Sequence, residues 1–438
     1  MKQTPTCCIL ILLDGLGDRS FAELGHRTPL QAANTPNLDK LAAMGANGIM
    51  HCGHQGMALP SENAHFVLFG YQPHEFPGRG YLEALGAGIQ ITGKETAFLA
   101  HLSMLKPKDN TLLLVKDRPH LRSNEVSPLF AAIEKFSYAN MHCRLIQTKG
   151  VDAILVFSEP SSPHVTDTLP FFNNMPLIEP QPLAQFQNDP IAVETAAALK
   201  AYLVWCHEVL SAHPFNLSRQ EKGKTPLNGL VTLRPGQKKN IENFSGRWGL
   251  KGLSISSGLV YRGISNFLGI EFNKAEDSDD PGRDIHDRLM LAQAVKDNYD
   301  FIHVHTKTPD EAAHTKNCHR KVEVIEALDR GIGKAMASLL SPDILLVITS
   351  DHSTPSGGPL IHSGEPVPIT MVGPGIRRDS INKYSEVDCA GGALGYIQGG
   401  NLMFMILNSL DRIKLEGLRD TPVDQPFWPG QRKPFQLV

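Results

Sequence analysis

The stretch that decides the fold is Cys7-Cys8-Ile9-Leu10-Ile11-Leu12-Leu13-Asp14-Gly15. Its β-branched and leucine-rich core, Ile9 to Leu13, reads as a strand buried on both faces, the pattern of a parallel sheet covered by helices. It stops at a carboxylate and a glycine. Downstream, Asn34-Thr35-Pro36-Asn37-Leu38-Asp39-Lys40-Leu41-Ala42 gives Thr35 as a helix cap, Pro36 as the first helical residue and Gly45 near the end. Strand, loop and helix begin an α/β layer.

The same design returns twice. Phe301-Ile302-His303-Val304-His305 leads into Lys307 and Asp310-Glu311-Ala312-Ala313-His314, and Ile344-Leu345-Leu346-Val347-Ile348 leads into Ser350-Asp351-His352-Ser353. In open α/β sheets, ligands gather at the carboxyl ends of strands. Three such ends, drawn from distant parts of the chain, therefore read as one site.

At 438 residues the chain is about three times the ~150 expected per domain, which favours two domains. Hydrophobic residues at 41% and charged residues at 20% suit a folded globular protein. The 42 Lys and Arg against 45 Asp and Glu leave a net charge of -3, no field for gripping nucleic acid or an anionic bilayer. The apolar run Cys7 to Leu13 is far shorter than the ~20 residues of a membrane span, and no cleavage-site pattern follows it. Seven scattered cysteines without a CxxC pair argue against a disulfide framework, so a cytoplasmic location is expected. Between the strand ends, strand candidates at 112–115, 153–157 and 230–233 and a helix candidate at 191–210 form a body of their own. Lys274 to Arg283 reads as a return linker. The expected division is 1–92, an inserted domain at 93–284, and 285–438.

Asp310 and His314 share a helix face at a spacing of four. With Asp14, Asp351, His352 and His362 they make three carboxylates and three imidazoles, a set that suits two divalent ions with mixed nitrogen and oxygen ligands, manganese or zinc rather than calcium. Such a pair can clamp a phosphoryl group. Ser61, in Pro60-Ser61-Glu62-Asn63, opens a probable helix, where unpaired N–H groups favour phosphate, and it offers the nucleophile. Gly88 to Glu95 contains GxxxxGK but has Glu where a phosphate loop needs Ser or Thr. Gly15-Leu16-Gly17 lacks the third glycine of a dinucleotide fingerprint. His314, Cys318 and His319 have the composition of part of a zinc knot, but no cysteine pair completes one.

The strand-DG start, TPNLDKLA, and the Asp-x-x-x-His, Asp-His and His-Ser elements resemble the alkaline phosphatase superfamily. More narrowly, the run from Thr28 to Gly45, the FGYQP element, Gly78 to Ile89 and the late GEPVPITMVGPG resemble the archaeal-type cofactor-independent phosphoglycerate mutases. The resemblance implies an alkaline-phosphatase-like mixed α/β sheet flanked by helices, with an inserted α+β lid domain that holds glycerate. It implies that Ser61 is phosphorylated and binds one metal with Asp14, Asp351 and His352, while Asp310, His314 and His362 bind the other. The substrate would be a small phosphorylated metabolite, with no nucleic acid and no membrane involved.

Substrate contacts are expected from Asp117, Arg118, Arg122, Arg219, Arg234 and Lys307. The family's DRRAGR stands here as Asp117-Arg118-Pro119-His120-Leu121-Arg122, its later His-Arg pair as Val151-Asp152, its DPH-like element as Asp167 to Phe171, and its Gly-His-Asp-Gly as Ala313-His314-Thr315-Lys316. The expected activity is interconversion of 3- and 2-phosphoglycerate. The alternative is a metal-dependent phosphatase or phosphotransferase of the same superfamily acting on another small phosphorylated substrate.

Overall fold

A computed structural model describes residues 4–437. The strands, in chain order, are β1 (Cys7–Leu13), β2 (Ala46–His51), β3 (Thr96–Lys108), β4 (Thr111–Lys116), β5 (Lys135–Tyr138), β6 (Met141–Lys149), β7 (Asp152–Phe157), β8 (Gly229–Gln237), β9 (Gly252–Ser256), β10 (Glu271–Lys274), β11 (Phe301–Thr306), β12 (Ile344–Thr349), β13 (Val367–Val372) and β14 (Gly395–Gln398). The described residues divide into two compact units, one of residues 4–76 with 241–437 and one of residues 77–240.

The first unit holds an eight-stranded sheet in the order β10-β9-β11-β1-β12-β13-β2-β14. It is mixed: β11, β1 and β12 run parallel, while β13 is antiparallel to both β12 and β2. All seven residues of β1 are buried, as its unbroken apolar run requires. Ile9, Ile11 and Leu13 pack with Ile302, Val304, Leu346 and Ile348 under Leu38, Leu41, Ile285, Leu289, Leu328 and Ile332. Those last six side chains come from the helices Pro36–Met44, Pro281–Val295 and Cys318–Leu339. Each fully buried leucine or isoleucine contributes ~1.5–3 kcal/mol. On the other face Phe301 and His303 meet Phe69, just beyond the helix Ser61–Leu68.

The expected cap of the Pro36–Met44 helix is corrected. Thr35 occupies the N-cap position without a side-chain cap bond. The first free N–H groups, of Asn37 and Leu38, donate instead to the Asp329 carboxylate at 3.0 and 2.8 Å. A tertiary contact has replaced the local one.

In the second unit the strands run β4-β3-β7-β6-β5, with β8 also paired to β3. One face is covered by the helices Ser123–Ala132 and Pro190–Ala212, which supply Val126, Leu129, Ala196, Leu199 and Tyr202 to the core. This α+β body begins and ends earlier than the 93–284 expected from sequence. The helix Arg79–Gly86 belongs with it, because Gly80 lies against the backbone of Ala97 and Arg234 so closely that a Cβ would meet the Ala97 carbonyl at 2.2 Å. Residues 252–274, assigned to the insertion on sequence grounds, supply β9 and β10 to the first sheet, where β9 pairs in parallel with β11.

Candidate metal and nucleophile centre

Adjacent parallel strands in register bring their ends to one level. Leu13 lies opposite Thr306, and Leu12 opposite Thr349, so Asp14, Lys307 and Ser350 leave the sheet together. Asp14 is buried, and its two oxygens divide the work. Oδ2 accepts from the Tyr261 hydroxyl at 2.7 Å and from His305 Nε2 at 3.0 Å. Oδ1 faces Ser61 Oγ at 3.4 Å and His352 Nε2 at 3.3 Å. Gly15, at φ +64°, cannot be replaced freely, since a Cβ there would sit 2.6 Å from Thr354 Oγ1 and 2.8 Å from Asp310 Cβ.

Asp351 Oδ1 accepts the N–H groups of Gly15 and His352 at 3.1 and 3.0 Å. Its Oδ2 is buried without a hydrogen-bond partner, although His352 Nε2 lies 3.2 Å away. Ser61 is the first residue of its helix, after Pro60, and its Oγ is 2.9 Å from His352 Nε2. The hydroxyl therefore stands at the mouth of a buried trio of Asp14, Asp351 and His352, whose donor atoms lie within 4.8 Å of one another.

A second trio, Asp310, His314 and His362, meets the same limit. Asp310 and His314 lie on one face of the helix Thr308–His314, with His314 Nε2 3.2 Å from Asp310 Oδ2. His362 places Nε2 3.5 Å from Asp310 Oδ1, while its Nδ1 donates to the Leu59 carbonyl at 2.7 Å. That outer bond fixes the tautomer and leaves Nε2 as a donor of electrons. Thr354 joins the trios, its Oγ1 donating to Asp310 Oδ1 at 2.7 Å and lying 3.1 Å from His352 Nδ1. The His352 and His362 rings stack at 3.9 Å.

Burial by itself would push the Asp14 carboxyl up, yet hydrogen bonds from His305 and His352 hold it well below the usual carboxylate range. Asp310 is depressed in the same way, His314 and His362 outweighing burial. Burial would lower His352, but Asp351 and Asp14 beside it push it up to about 9. Three clustered carboxylates thus favour positive charge beside them. An unpartnered buried carboxylate oxygen, three imidazoles and no thiolate match a divalent ion with mixed ligands.

Sequence reasoning missed the supports. His303 and His305 stand two apart on β11 and so share a face, but in sequence they merge into an apolar run. Burial keeps His305 neutral, at about 4, so it serves Asp14 as a hydrogen-bond donor. Burial likewise lifts the Tyr261 hydroxyl well above its ordinary value, which keeps it a donor too. His65 Nδ1 donates to the Ser61 carbonyl at 2.8 Å. Lys316, at φ +58°, donates through Nζ to the carbonyls of Pro355 and Leu360 at 2.9 and 2.6 Å, bracing the loop that ends in His362. Fully buried Lys321 donates to the carbonyls of Gly17 and Thr354 at 2.9 and 2.8 Å and pairs with Asp18 at 3.1 Å.

The residues expected to read substrate are placed less uniformly. Lys307 lies beside the site, its Nζ 5.1 Å from the centre of the Tyr261 ring. In the 77–240 unit, Asp117 is hydrogen-bonded to buried His101, and Arg118 is paired with Asp152 at 3.0 Å. Arg122 is the N-cap of Ser123–Ala132. Arg219 donates to the Thr225 carbonyl at 3.0 Å and lies over the Phe215 ring. Arg234, at φ +50°, gives its backbone N–H to Asp167 at 2.6 Å. Asp117 and Arg118 are neighbours, whereas Arg219 is engaged on its own helix and the loop beyond it.

Comparison with known proteins places the chain in a family. A family model described as the metalloenzyme superfamily matches residues 6–409, and the chain belongs to that superfamily. The chain is 40% identical over 424 residues to 2,3-bisphosphoglycerate-independent phosphoglycerate mutase 2 of Methanocaldococcus jannaschii, covering 94% of this chain and 95% of the relative. It is 33% identical to the corresponding mutase of Methanopyrus kandleri, over 93% of this chain and 97% of that one. Among solved structures, a Pyrococcus horikoshii protein superposes with a TM-score of 0.77 at 28% identity, covering 95% of this chain and all of that one. The cofactor-independent phosphoglycerate mutase of Thermoplasma acidophilum gives 0.62 at 29% identity, covering 92% and 99%. Within the superfamily, then, the chain belongs to the 2,3-bisphosphoglycerate-independent phosphoglycerate mutases.

Proposed function

We propose that this chain interconverts 3-phosphoglycerate and 2-phosphoglycerate through a phosphoserine at Ser61. The observation that carries the reading is the position of the Ser61 hydroxyl, 2.9 Å from His352 and 3.4 Å from Asp14, at the mouth of the trio whose His352 stacks on His362 of the other. Ser61 Oγ attacks the phosphorus, the bond to the glycerate C3 oxygen breaks, and the proton lost by Ser61 ends on that oxygen. The C2 hydroxyl oxygen then attacks the same phosphorus, the Ser61 O–P bond breaks, and Ser61 regains a proton. No water is consumed.

Two divalent ions, Mn2+ or Zn2+, held by Asp14, Ser61, Asp351 and His352 and by Asp310, His314 and His362, would offset charge on the transferred group and acidify the Ser61 hydroxyl. The chain's own contribution is to hold the site rigid. Tyr261 and His305 fix Asp14, Thr354 spans the trios, and the start of the Ser61–Leu68 helix would favour the negative charge of a phosphate on Ser61. Lys307 is the candidate cation for the phosphoryl group. The 77–240 unit is the candidate holder of glycerate, with Asp117, Arg118, Arg122, Arg219 and Arg234 as candidate contacts. Seven unpaired cysteines suit a reducing, cytoplasmic setting, and no helix among the described residues is long and apolar enough to cross a membrane.

One observation favours a second reading. Arg118 is balanced by Asp152, which stands where the resembled pattern has the second residue of a His-Arg pair, so the unit is less cationic than a glycerate carboxylate prefers. A phosphatase or phosphotransferase on another small phosphorylated compound would follow. Incubating metal-loaded protein with 3-phosphoglycerate separates the two: 2-phosphoglycerate without inorganic phosphate supports the mutase, and phosphate alone rejects it. Ser61→Ala should lower mutase turnover by at least ~10³-fold, and unchanged turnover would remove the covalent scheme.

A further inference from the structure

We propose that Glu23, Cys318 and His319 form a third metal site, separate from the two trios around Ser61, that takes Zn2+. Glu23 lies in the short helical turn Ala22–Leu24. Cys318 and His319 open the helix Cys318–Leu339, directly after its Asn317 cap. One donor atom from each of the three lies within 4.8 Å of the other two. Cys318 Sγ already points at Glu23, donating to Oε2 at 3.5 Å. The His319 imidazole makes no hydrogen bond, ion pair or ring contact with any described residue. The sequence showed Cys318 and His319 as an unfinished zinc-binding pattern, and the fold supplies the missing donor from a segment nearly 300 residues away.

The donor set differs in kind from the trios. Those contain only carboxylates and imidazoles, whereas this one has a sulfur, an imidazole nitrogen and a single carboxylate, which selects a thiophilic ion over manganese or magnesium. On binding, the Cys318 S–H bond breaks, its proton leaves to solvent, and sulfur bonds the ion. His319 gives a nitrogen lone pair, Glu23 an oxygen, and water takes the fourth position. The charges of Zn2+, thiolate and carboxylate cancel, and the thiolate sits at a helix N-terminus, where negative charge is favoured. Glu23 and His319 are exposed, so the ion can exchange with solvent. Its effect would be to fasten the 22–24 turn to the start of the helix that carries Lys321.

The test uses the full chain with its catalytic sites first saturated with Mn2+, then titrated with Cd2+ as the spectroscopic stand-in for Zn2+. One further equivalent should bind with the ultraviolet charge-transfer absorption of a cadmium–thiolate bond, and Zn2+ should displace it. Cys318→Ser should abolish the band while leaving mutase turnover unchanged. Glu23→Gln and His319→Ala alter exposed side chains, and each should weaken Cd2+ binding at least tenfold, which keeps the test decisive if the serine variant folds poorly. The other six cysteines are buried, and a band that persists in Cys318→Ser, or unchanged affinity in both exposed variants, overturns the proposal.

Discussion

Replacing Lys321 with methionine removes a fully buried ammonium while nearly keeping its volume. Three acceptors lose their partner: the Gly17 carbonyl at 2.9 Å, the Thr354 carbonyl at 2.8 Å and the Asp18 carboxylate at 3.1 Å. Breaking a buried pair by deleting one member costs ~3–5 kcal/mol, because the remaining charge is stranded. Asp18 keeps the N–H of Ser356 at 3.1 Å and its hydroxyl at 2.7 Å, which places the cost near ~3 kcal/mol. At a urea dependence of ~3 kcal/mol per molar, the unfolding midpoint should fall by about 1 M.

Trp248, buried with its indole N–H on the Phe69 carbonyl at 2.9 Å, is the reporter for this unit once Trp428→Phe silences the exposed tryptophan of the same unit and Trp205→Phe that of the other. Metal affinity should fall as well, since Lys321 ties the loop after Asp14 to Thr354, which in turn holds Asp310. Adding Asp18→Asn to the methionine variant should recover part of the loss, because the stranded charge goes with it. A midpoint shift under about 0.3 M, or a double variant as unstable as the sum of the single ones, refutes the reasoning.

Gly15→Ala forces a Cβ against Thr354 and Asp310 at positive φ and should destroy tight Mn2+ binding, measured by calorimetry on metal-free protein. His305→Phe strips a donor from the buried Asp14 carboxylate and should cost ~1–3 kcal/mol in thermal stability and weaken Mn2+ binding. His305→Gln should restore part of both. Lys316→Ala should weaken Mn2+ binding several-fold at a modest cost in stability, because the exposed Leu360 carbonyl can rehydrate and only the buried Pro355 carbonyl loses its partner. Chelation should abolish turnover, and re-adding Mn2+ should raise the melting temperature in proportion to the logarithm of free metal.

Much of the first unit was legible because its strands advertise themselves. An unbroken apolar run ending at Asp14, and two more ending near Asp310 and Asp351, place their carboxylates by the rule that parallel strand ends gather ligands. Tyr261 was hidden because the strand before it, Gly252–Ser256, is short and small-sided, and its membership of the first sheet depends on pairing with β11 nearly fifty residues later. The same pairing moved the end of the inserted unit back from 284 to 240. The partners of Arg118 and Arg219, Asp152 and the Thr225 carbonyl, could not be read locally, because tertiary folding sets the first and the turn after a helix the second.

The central place of β1 bears on how the polypeptide is made. Its two neighbours, β11 and β12, lie roughly three hundred residues further along, so at ribosomal speeds of ~5–20 residues per second the seven apolar residues Cys7–Leu13 wait for tens of seconds without a pairing partner. During that interval the 77–240 body can already have collapsed around its own core. A sticky, unsheltered segment tethered to a finished module is a natural client for a holding chaperone, and slowing translation ahead of residue 301 should increase aggregation of the nascent product.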